Sequence, residues 1–277
     1  MTADLGELLD IRELDRDLYE APSFPDEERQ HLFGGQVAAQ ALRAAALTVD
    51  RERRAHSLHG YFLRRGTSGR SVVLQVFRDR DGGSFSSRRV LAIQNGEVLF
   101  SAAASFHLDE ESPEYQLPMT SEVAGPEELP VVHGGPDQFF ETRGEVGRAA
   151  ADGMTFSSRL WVRSRSSLPD DDSVHDCALA YVTDLGSGFA GLEIDGLAPA
   201  GPSLDHCIWF HRPIRLDDWV LVDLWPLRAS GARGTYMGAV HDRAGSLGCM
   251  LAQEALLRPR ALSRGAAPPE AAGGRPG

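Results

Sequence analysis

The chain carries many residues that could bind metals or act as nucleophiles, but their spacing argues against the familiar arrangements. None of the nine histidines forms an HxH or HxxxH pair, and no GxSxG elbow presents a serine. His206 adjoins Asp205, yet neighbours on a strand point to opposite faces, so the two cannot form a relay with Ser203. We expect His206 and His211 to be structural, holding a strand against a helix.

The basic residues narrow the chemistry further, because all 28 of them are arginine. Without lysine, the chain cannot form a Schiff base, a Walker A phosphate loop or a Ser–Lys dyad. The 40 acidic residues give a net charge of −12, which disfavours nucleic acid and anionic membrane surfaces as partners.

The cysteines and the apolar segments predict a cytoplasmic protein. Cys177, Cys207 and Cys249 form no CxxC pair, which is typical of reduced, buried thiols. The first residues are acidic and polar, so we expect no signal peptide. No apolar run approaches the roughly 20 residues of a membrane span, so we expect no stable membrane anchor.

The elements that must position any site follow a repeated order. Ala-rich sequence predicts one helix within Phe33–Val49, behind a Gly-Gly entry, and a second within His175–Ser187. Strand-like segments follow each helix, and Asn95-Gly96 predicts a hairpin.

Matching residues in the two halves indicate a duplication. The spacing is 147 for two pairs and 149 for a third: His59 with His206, Arg65 with Arg212, and Gly96 with Gly245. We therefore predict an α+β fold made of two copies, each an antiparallel sheet wrapped around one central helix.

Composition divides the chain into four parts. We predict a first domain over residues 1–107 and a second over 156–261. A Pro- and Glu-rich linker over 108–155 should cross the surface, and residues 262–277 should form a disordered tail.

Several motifs resemble those of the acyl-CoA thioesterase II family (TesB-like, double hotdog). They are FGGQ before the first helix, HSLHGYFLRRG, SFSSRRVLAIQNGEVLFSAAASFH and DHCIWFHRP. The resemblance runs from about Leu14 to Arg258. It implies two fused hotdog domains with their sheets side by side, hydrolysis of acyl-CoA to free acid and CoA, and no cofactor or metal.

The resemblance also implies a catalytic set of Asp184, Ser203 and Gln253, all in the second half. Many relatives place Thr where this chain has Ser203. The residue types suit the reaction, because a thioester carbonyl needs an activated water and donors for the developing oxyanion. The counterparts of Gln253 and Asp184 in the first half are predicted to be Ala104 and Gln40, so only the second copy carries the set.

The substrate is expected to meet the start of the first helix and some of the arginines. Gly34, Gly35 and Gln36 place backbone N–H groups there, which suits a carbonyl or a phosphate. Arg88 and Arg89 are predicted to bind the phosphates of CoA.

Two other functions stay open at this point. A non-catalytic acyl-CoA-binding hotdog would need no polar set, and an enoyl-CoA hydratase would need an Asp/His motif that the sequence lacks. The resemblance also implies a homo-oligomer.

Overall fold

The computed structural model describes residues 4–25, 30–116, 119, 123–132, 138–149, 155–190, 194, 196–198 and 200–260. The predicted tail over 262–277 lies outside them. Three helices are present in this part of the chain: α1 (Leu5–Leu9), α2 (Gly34–Ala46) and α3 (Asp172–Val182). The twelve strands are β1 (Arg12–Asp15), β2 (Leu18–Ala21), β3 (Arg53–Phe62), β4 (Val72–Asp81), β5 (Phe85–Gln94), β6 (Glu97–Leu108), β7 (Phe140–Ala149), β8 (Thr155–Ser164), β9 (Asp205–Phe210), β10 (Val220–Ser230), β11 (Arg233–Asp242) and β12 (Leu247–Leu256).

All twelve strands join in one antiparallel sheet with the order β1-β2-β4-β5-β6-β3-β9-β12-β11-β10-β8-β7. The two halves meet where β3 pairs with β9, with Leu58 opposite Ile208. The helices α2 and α3 pack against each other, and α2 also contacts β3, β4, β5 and β6. The predicted side-by-side union of two helix-and-sheet units is therefore confirmed, as a single continuous sheet.

The local predictions are confirmed where the sequence carries a strong turn or helix signal. Asn95 and Gly96 adopt φ of 54° and 79° between β5 and β6, the left-handed pair that a two-residue hairpin needs. Ala, Leu and Gln residues make up much of α2, and most residues of this helix are buried. No helix among the described residues is long and apolar enough to cross a membrane.

The two halves repeat the same order of elements, but the predicted pairing of His59 with His206 is wrong by one position. His59 faces outward and contacts the ring of Trp209 at 5.1 Å between centroids, whereas His206 is fully buried. Residues on opposite faces of a sheet cannot be equivalent, because a shift of one residue reverses every side chain. The counterpart of His206 is therefore a neighbour of His59.

The segment between the halves is more structured than a plain linker. Strand β7 falls within the predicted linker and pairs with β8 at the edge of the sheet, so this part belongs with the second half. Nearer its start, the described residues of the connector pack on the outer face of the sheet. There Met119, Val123 and Leu129 cover an apolar cluster of Trp161, Trp219 and Leu221 on the outer face of the sheet.

Charged pairs tie the halves together beneath the central strands. Arg54 on β3 donates to Asp176 on α3 at 2.6 Å. Arg43 on α2 donates to the Ser173 hydroxyl at 2.8 Å. Burial raises the pKa of Asp176 to about 7, against the opposing effect of Arg54.

Candidate active site

A cleft of about 810 Å³ opens between the two halves. The first half contributes the entry to α2, the end of β3 and the start of β6, and the second half contributes the segment after α3 and the segment before β9. Apolar residues of the first half line much of its wall: Leu32, Phe33, Val37, Phe62, Leu99 and Phe100.

The three residues predicted to be catalytic form one hydrogen-bonded group, in which Asp184 and Ser203 line the cleft and Gln253 is buried beside them. Asp184 follows the C-terminal end of α3, Ser203 lies just before β9, and Gln253 points inward from β12. The Gln253 amide Nε2 donates to Asp184 Oδ1 at 2.8 Å and also to Ser203 Oγ. Ser203 Oγ in turn donates to the same Asp184 oxygen at 3.2 Å.

The second carboxylate oxygen of Asp184 lies against the start of α2. A Cβ atom built on Gly34 would come within 2.6 Å of Asp184 Oδ2, so only glycine leaves this contact free. The helix has Phe33 at its N-cap and no side-chain hydrogen bond there. Its first N–H groups are thus available to a ligand, and its positive end favours the nearby carboxylate.

Sequence reasoning missed one member of this network. His206, fully buried on β9, makes a hydrogen bond through Nδ1 to Gln253 Oε1 and through Nε2 to the Thr183 hydroxyl, the latter at 2.8 Å. Its predicted structural contact with the helix is therefore present, through Thr183. The signal available beforehand was a polar residue at an inward position of an otherwise apolar strand.

The comparison with known proteins assigns the family. The family model described as the acyl-CoA thioesterase N-terminal domain matches residues 24–107, and the model of the C-terminal domain matches residues 116–257. The chain belongs to the acyl-CoA thioesterase II family. Both halves are covered, so the resemblance predicted from short motifs is confirmed.

Individual relatives agree with this family. Acyl-coenzyme A thioesterase 8 of Rattus norvegicus is 34% identical over 281 residues, which cover 91% of this chain and 88% of that protein. Acyl-CoA thioesterase 2 of Haemophilus influenzae is 30% identical over 279 residues, covering 92% of this chain and 97% of the relative. The crystal structure of the acyl-CoA thioesterase II TesB2 from Mycobacterium marinum, 37% identical, superposes with a TM-score of 0.76 over 92% of this chain and 98% of that one. The predicted double hotdog is confirmed.

The remaining predicted site residues of this thioesterase II chain divide between the cleft and the scaffold. Gly34 lines the cleft. Gly35 packs against the backbone oxygen of Tyr181, where a Cβ would come within 2.4 Å. Gln36 points elsewhere, with its amide 3.4 Å from the carbonyl of Pro22.

The structure places both arginines predicted to bind CoA, Arg88 and Arg89, outside the cleft. Arg88 is 1% exposed, and its guanidinium donates to Thr48, to Asp81 and to backbone carbonyls, so no N–H remains for a phosphate. Arg89 lies over the ring of Phe77 and pairs with Asp79, and neither arginine lines the cleft. The sequence marked them as strand residues but did not reveal which face each one occupies.

Three side chains that can carry positive charge do lie on the wall of the cleft. They are His31, Arg64 and Arg65, and the last of these lies 3.4 Å from the first, between Nη1 and Nε2. Arg64 also pairs with Glu97 at 2.9 Å on the exposed surface. Exposed arginines at a cleft are well suited to phosphate groups.

The counterpart predicted for Asp184 also needs correction. Gln40 lies in the middle of α2 and donates to the carbonyls of Leu8 and Pro22. Asp184 does not interrupt α3; it follows the end of that helix, directly after Thr183. Its equivalent must therefore follow the end of α2.

Proposed function

We propose that Asp184, Ser203 and Gln253 hydrolyse acyl-CoA to a free acid and CoA through an activated water. Membership of the acyl-CoA thioesterase II family supports thioester hydrolysis. The observation that supports these particular residues is the geometry of Asp184. One of its oxygens is held by two donors, and the other lies beside the open start of α2.

The donor directions favour water as the nucleophile rather than Ser203. The serine hydrogen is directed at Asp184 and its oxygen accepts from Gln253, so the hydroxyl serves as a link within the network. Among the residues that the structure describes, no histidine bonds to Ser203 as a base would, since the ring of His206 is engaged by Gln253 and Thr183. Asp184 Oδ2 is left to accept a proton from water.

The reaction then balances within the cleft. Asp184 takes a proton as the water oxygen bonds to the thioester carbon, and the carbonyl oxygen gains negative charge beside the N–H groups that begin α2. Collapse of this intermediate breaks the carbon–sulfur bond. The CoA sulfur leaves with the electron pair and receives the proton, which returns Asp184 to its starting state.

The two halves divide the work in this proposal. The second domain, within residues 156–261, supplies the water-activating set. The first domain, within residues 1–107, supplies Gly34, the apolar wall for the acyl chain, and Arg64 and Arg65 for the phosphates of CoA. The linker between the domains would then serve packing alone.

The test is release of CoA thiol from acyl-CoA, followed with DTNB. Asp184→Ala and Gln253→Ala should fold and lose at least about 100-fold in kcat. Asp50→Ala, on an exposed loop, and Gln75→Ala, on β4, are matched controls that should keep wild-type turnover. Normal turnover in either active-site variant would refute these roles.

The same assay separates the two alternatives. A non-catalytic binding protein would bind acyl-CoA and release no thiol in any variant. An enoyl-CoA hydratase would remove the absorbance of an enoyl thioester and leave the thioester bond intact. Release of one thiol per acid formed excludes both.

We further propose that the protein is a cytoplasmic homo-oligomer, as the resemblance implies. The outer face of the central strands supports self-association, because Tyr61 is 64% exposed and Trp209 is 37% exposed there. Light scattering after gel filtration should give a mass that is a multiple of 30.1 kDa. A monomer at micromolar concentration would refute the oligomer.

A further inference from the structure

The buried imidazole of His206 lies one step away from the proposed water-activating set. It is completely inaccessible and sits on the inner face of β9, next to Gln253 on β12. Both ring nitrogens have partners, Gln253 on one side and Thr183 on the other. It has no place on the wall of the cleft, so it acts on substrate only through its neighbours.

The chemistry of the groups determines which one donates in each hydrogen bond between Asp184, Gln253, His206 and Thr183. The ionised carboxylate of Asp184 only accepts, so the NH₂ group of Gln253 must face it. The amide oxygen then faces His206, and because that oxygen only accepts, the imidazole must carry its proton on Nδ1. Burial lowers the pKa of His206 and keeps the ring neutral, so Nε2 accepts from the Thr183 hydroxyl.

The first half shows what these positions contain when no chemistry is required. The pairing of Cys207 with Ala252, carried one step along the strands, sets His206 opposite Gln253. Gln253 corresponds to Ala104 at the spacing of 149, and Ala104 pairs with Leu58. Leu58 is thus the counterpart of His206, 148 residues earlier, and both first-half residues are buried and apolar. A histidine is not needed for the packing of this pair.

We propose that His206 is a positioning residue that fixes the orientation of the Gln253 amide. Its Nδ1 proton holds the amide oxygen, which directs the NH₂ group at Asp184 and Ser203. This inference rests on the proposed roles of those three residues. Without the histidine, the amide oxygen loses the donor that holds it, and the amide can turn away from the productive orientation.

Two substitutions test the donor separately from the volume. His206→Leu introduces the residue found in the first half and removes the donor. It should lower kcat about 10- to 100-fold, while KM changes by less than about threefold. His206→Asn places an amide N–H where Nδ1 stood and should restore kcat to within about fivefold of wild type. His206→Gln places its amide toward Thr183 instead and should behave like the leucine variant.

A double-mutant cycle shows whether His206 acts through Gln253. In a Gln253→Ala background, His206→Leu should change kcat by less than about twofold, because the amide it positions is gone. Should the leucine variant fail to fold, the difference between the asparagine and glutamine variants decides the same point. Circular dichroism and Tm identify folded samples.

Four results would overturn the inference, and they distinguish the failure of the positioning role from the failure of the catalytic set. Wild-type kcat in His206→Leu, or losses that multiply in the cycle, would remove the positioning role while leaving the catalytic set intact. Equal kcat in the asparagine and glutamine variants would do the same. Wild-type turnover by Gln253→Ala would instead refute the proposed catalytic set itself.

Discussion

Replacement of Gly34 by alanine is expected to damage catalysis while the fold survives. The added Cβ would lie 2.6 Å from Asp184 Oδ2, and an ordinary contact begins at 3.4 Å. The carboxylate must therefore move by about 0.8 Å, and a displacement near 1 Å at a reacting group costs on the order of 100-fold in rate. The new methyl group would also stand where the attacking water approaches.

The stability of this variant should change little. Alanine favours the helix by up to about 1 kcal/mol over glycine, which offsets the crowding against the Phe62 ring at 3.0 Å. We expect kcat with acyl-CoA to fall about 100-fold in the DTNB assay, with Tm within about 5 °C of wild type.

Two other glycines, Gly83 in the turn between β4 and β5 and Gly35 next to Gly34, serve as controls for this experiment. Gly83→Ala adds a methyl group in open space, so both kcat and Tm should be unchanged. Gly35→Ala brings its Cβ within 2.4 Å of the Tyr181 backbone oxygen, so its main effect should be a lower Tm. Wild-type kcat in Gly34→Ala would refute the placement of the reacting water beside Asp184 Oδ2.

Two further predictions concern charge. The buried Asp176 has a pKa of about 7 against 3.8 when unfolded, so the folded state binds its proton more tightly and this contribution to stability declines as pH rises from about 4 to about 7. Asp176→Asn should remove this dependence on pH. The free energy of unfolding of the variant relative to wild type should therefore rise from about pH 4 to about pH 7. Parallel curves of unfolding free energy against pH for the two proteins would contradict this prediction. Arg65→Gln should raise KM for acyl-CoA about threefold at low salt with kcat unchanged. An acyl-pantetheine thioester, which lacks the nucleotide phosphates, should show no such change, and an equal rise for both substrates would place the phosphates elsewhere.

The sequence predicted those features that depend on local signals. The hairpin at Asn95-Gly96 and the two Ala-rich helices follow from turn chemistry and helix propensity, and all three are present, although α3 begins at Asp172 and ends at Val182 rather than spanning His175–Ser187. The union of Asp184, Ser203 and Gln253 depended on the family resemblance, because the three come from separate elements that only the fold brings together.

The incorrect predictions concern strand residues whose role depends on which face of the sheet they occupy. Arg88 and His59 both lie on strands, and a one-residue shift moves a side chain from the core to the surface. Arg88 proved to face inward, where it satisfies Thr48 and Asp81, and His59 proved to face outward. Strand β7 was not predicted from the sequence, because its residues follow a Pro-rich segment and form only the edge of the sheet.

The duplicated fold explains why the proposed catalytic set lies in the second half of the chain only. A threonine follows both α2 and α3, with its hydroxyl close to the carbonyl three residues earlier: Thr48 lies 2.8 Å from that of Ala45, and Thr183 lies 2.9 Å from that of Ala180. The residue that follows is Asp184 in the second half and the apolar Val49 in the first.

The strands and helix starts carry the same contrast. The cross-strand neighbours Arg88 and Ala104 in the first half correspond to Tyr236 and Gln253 in the second, so Arg88 occupies the first-half equivalent of the active site and ties down Thr48. The start of α3 is closed by Asp171, which accepts from the Ser173 N–H, whereas the start of α2 has no side-chain cap. In the proposed mechanism, a thioester therefore meets an open helix start from one half and the carboxylate of Asp184 from the other at a single place, so we expect one active centre in each chain.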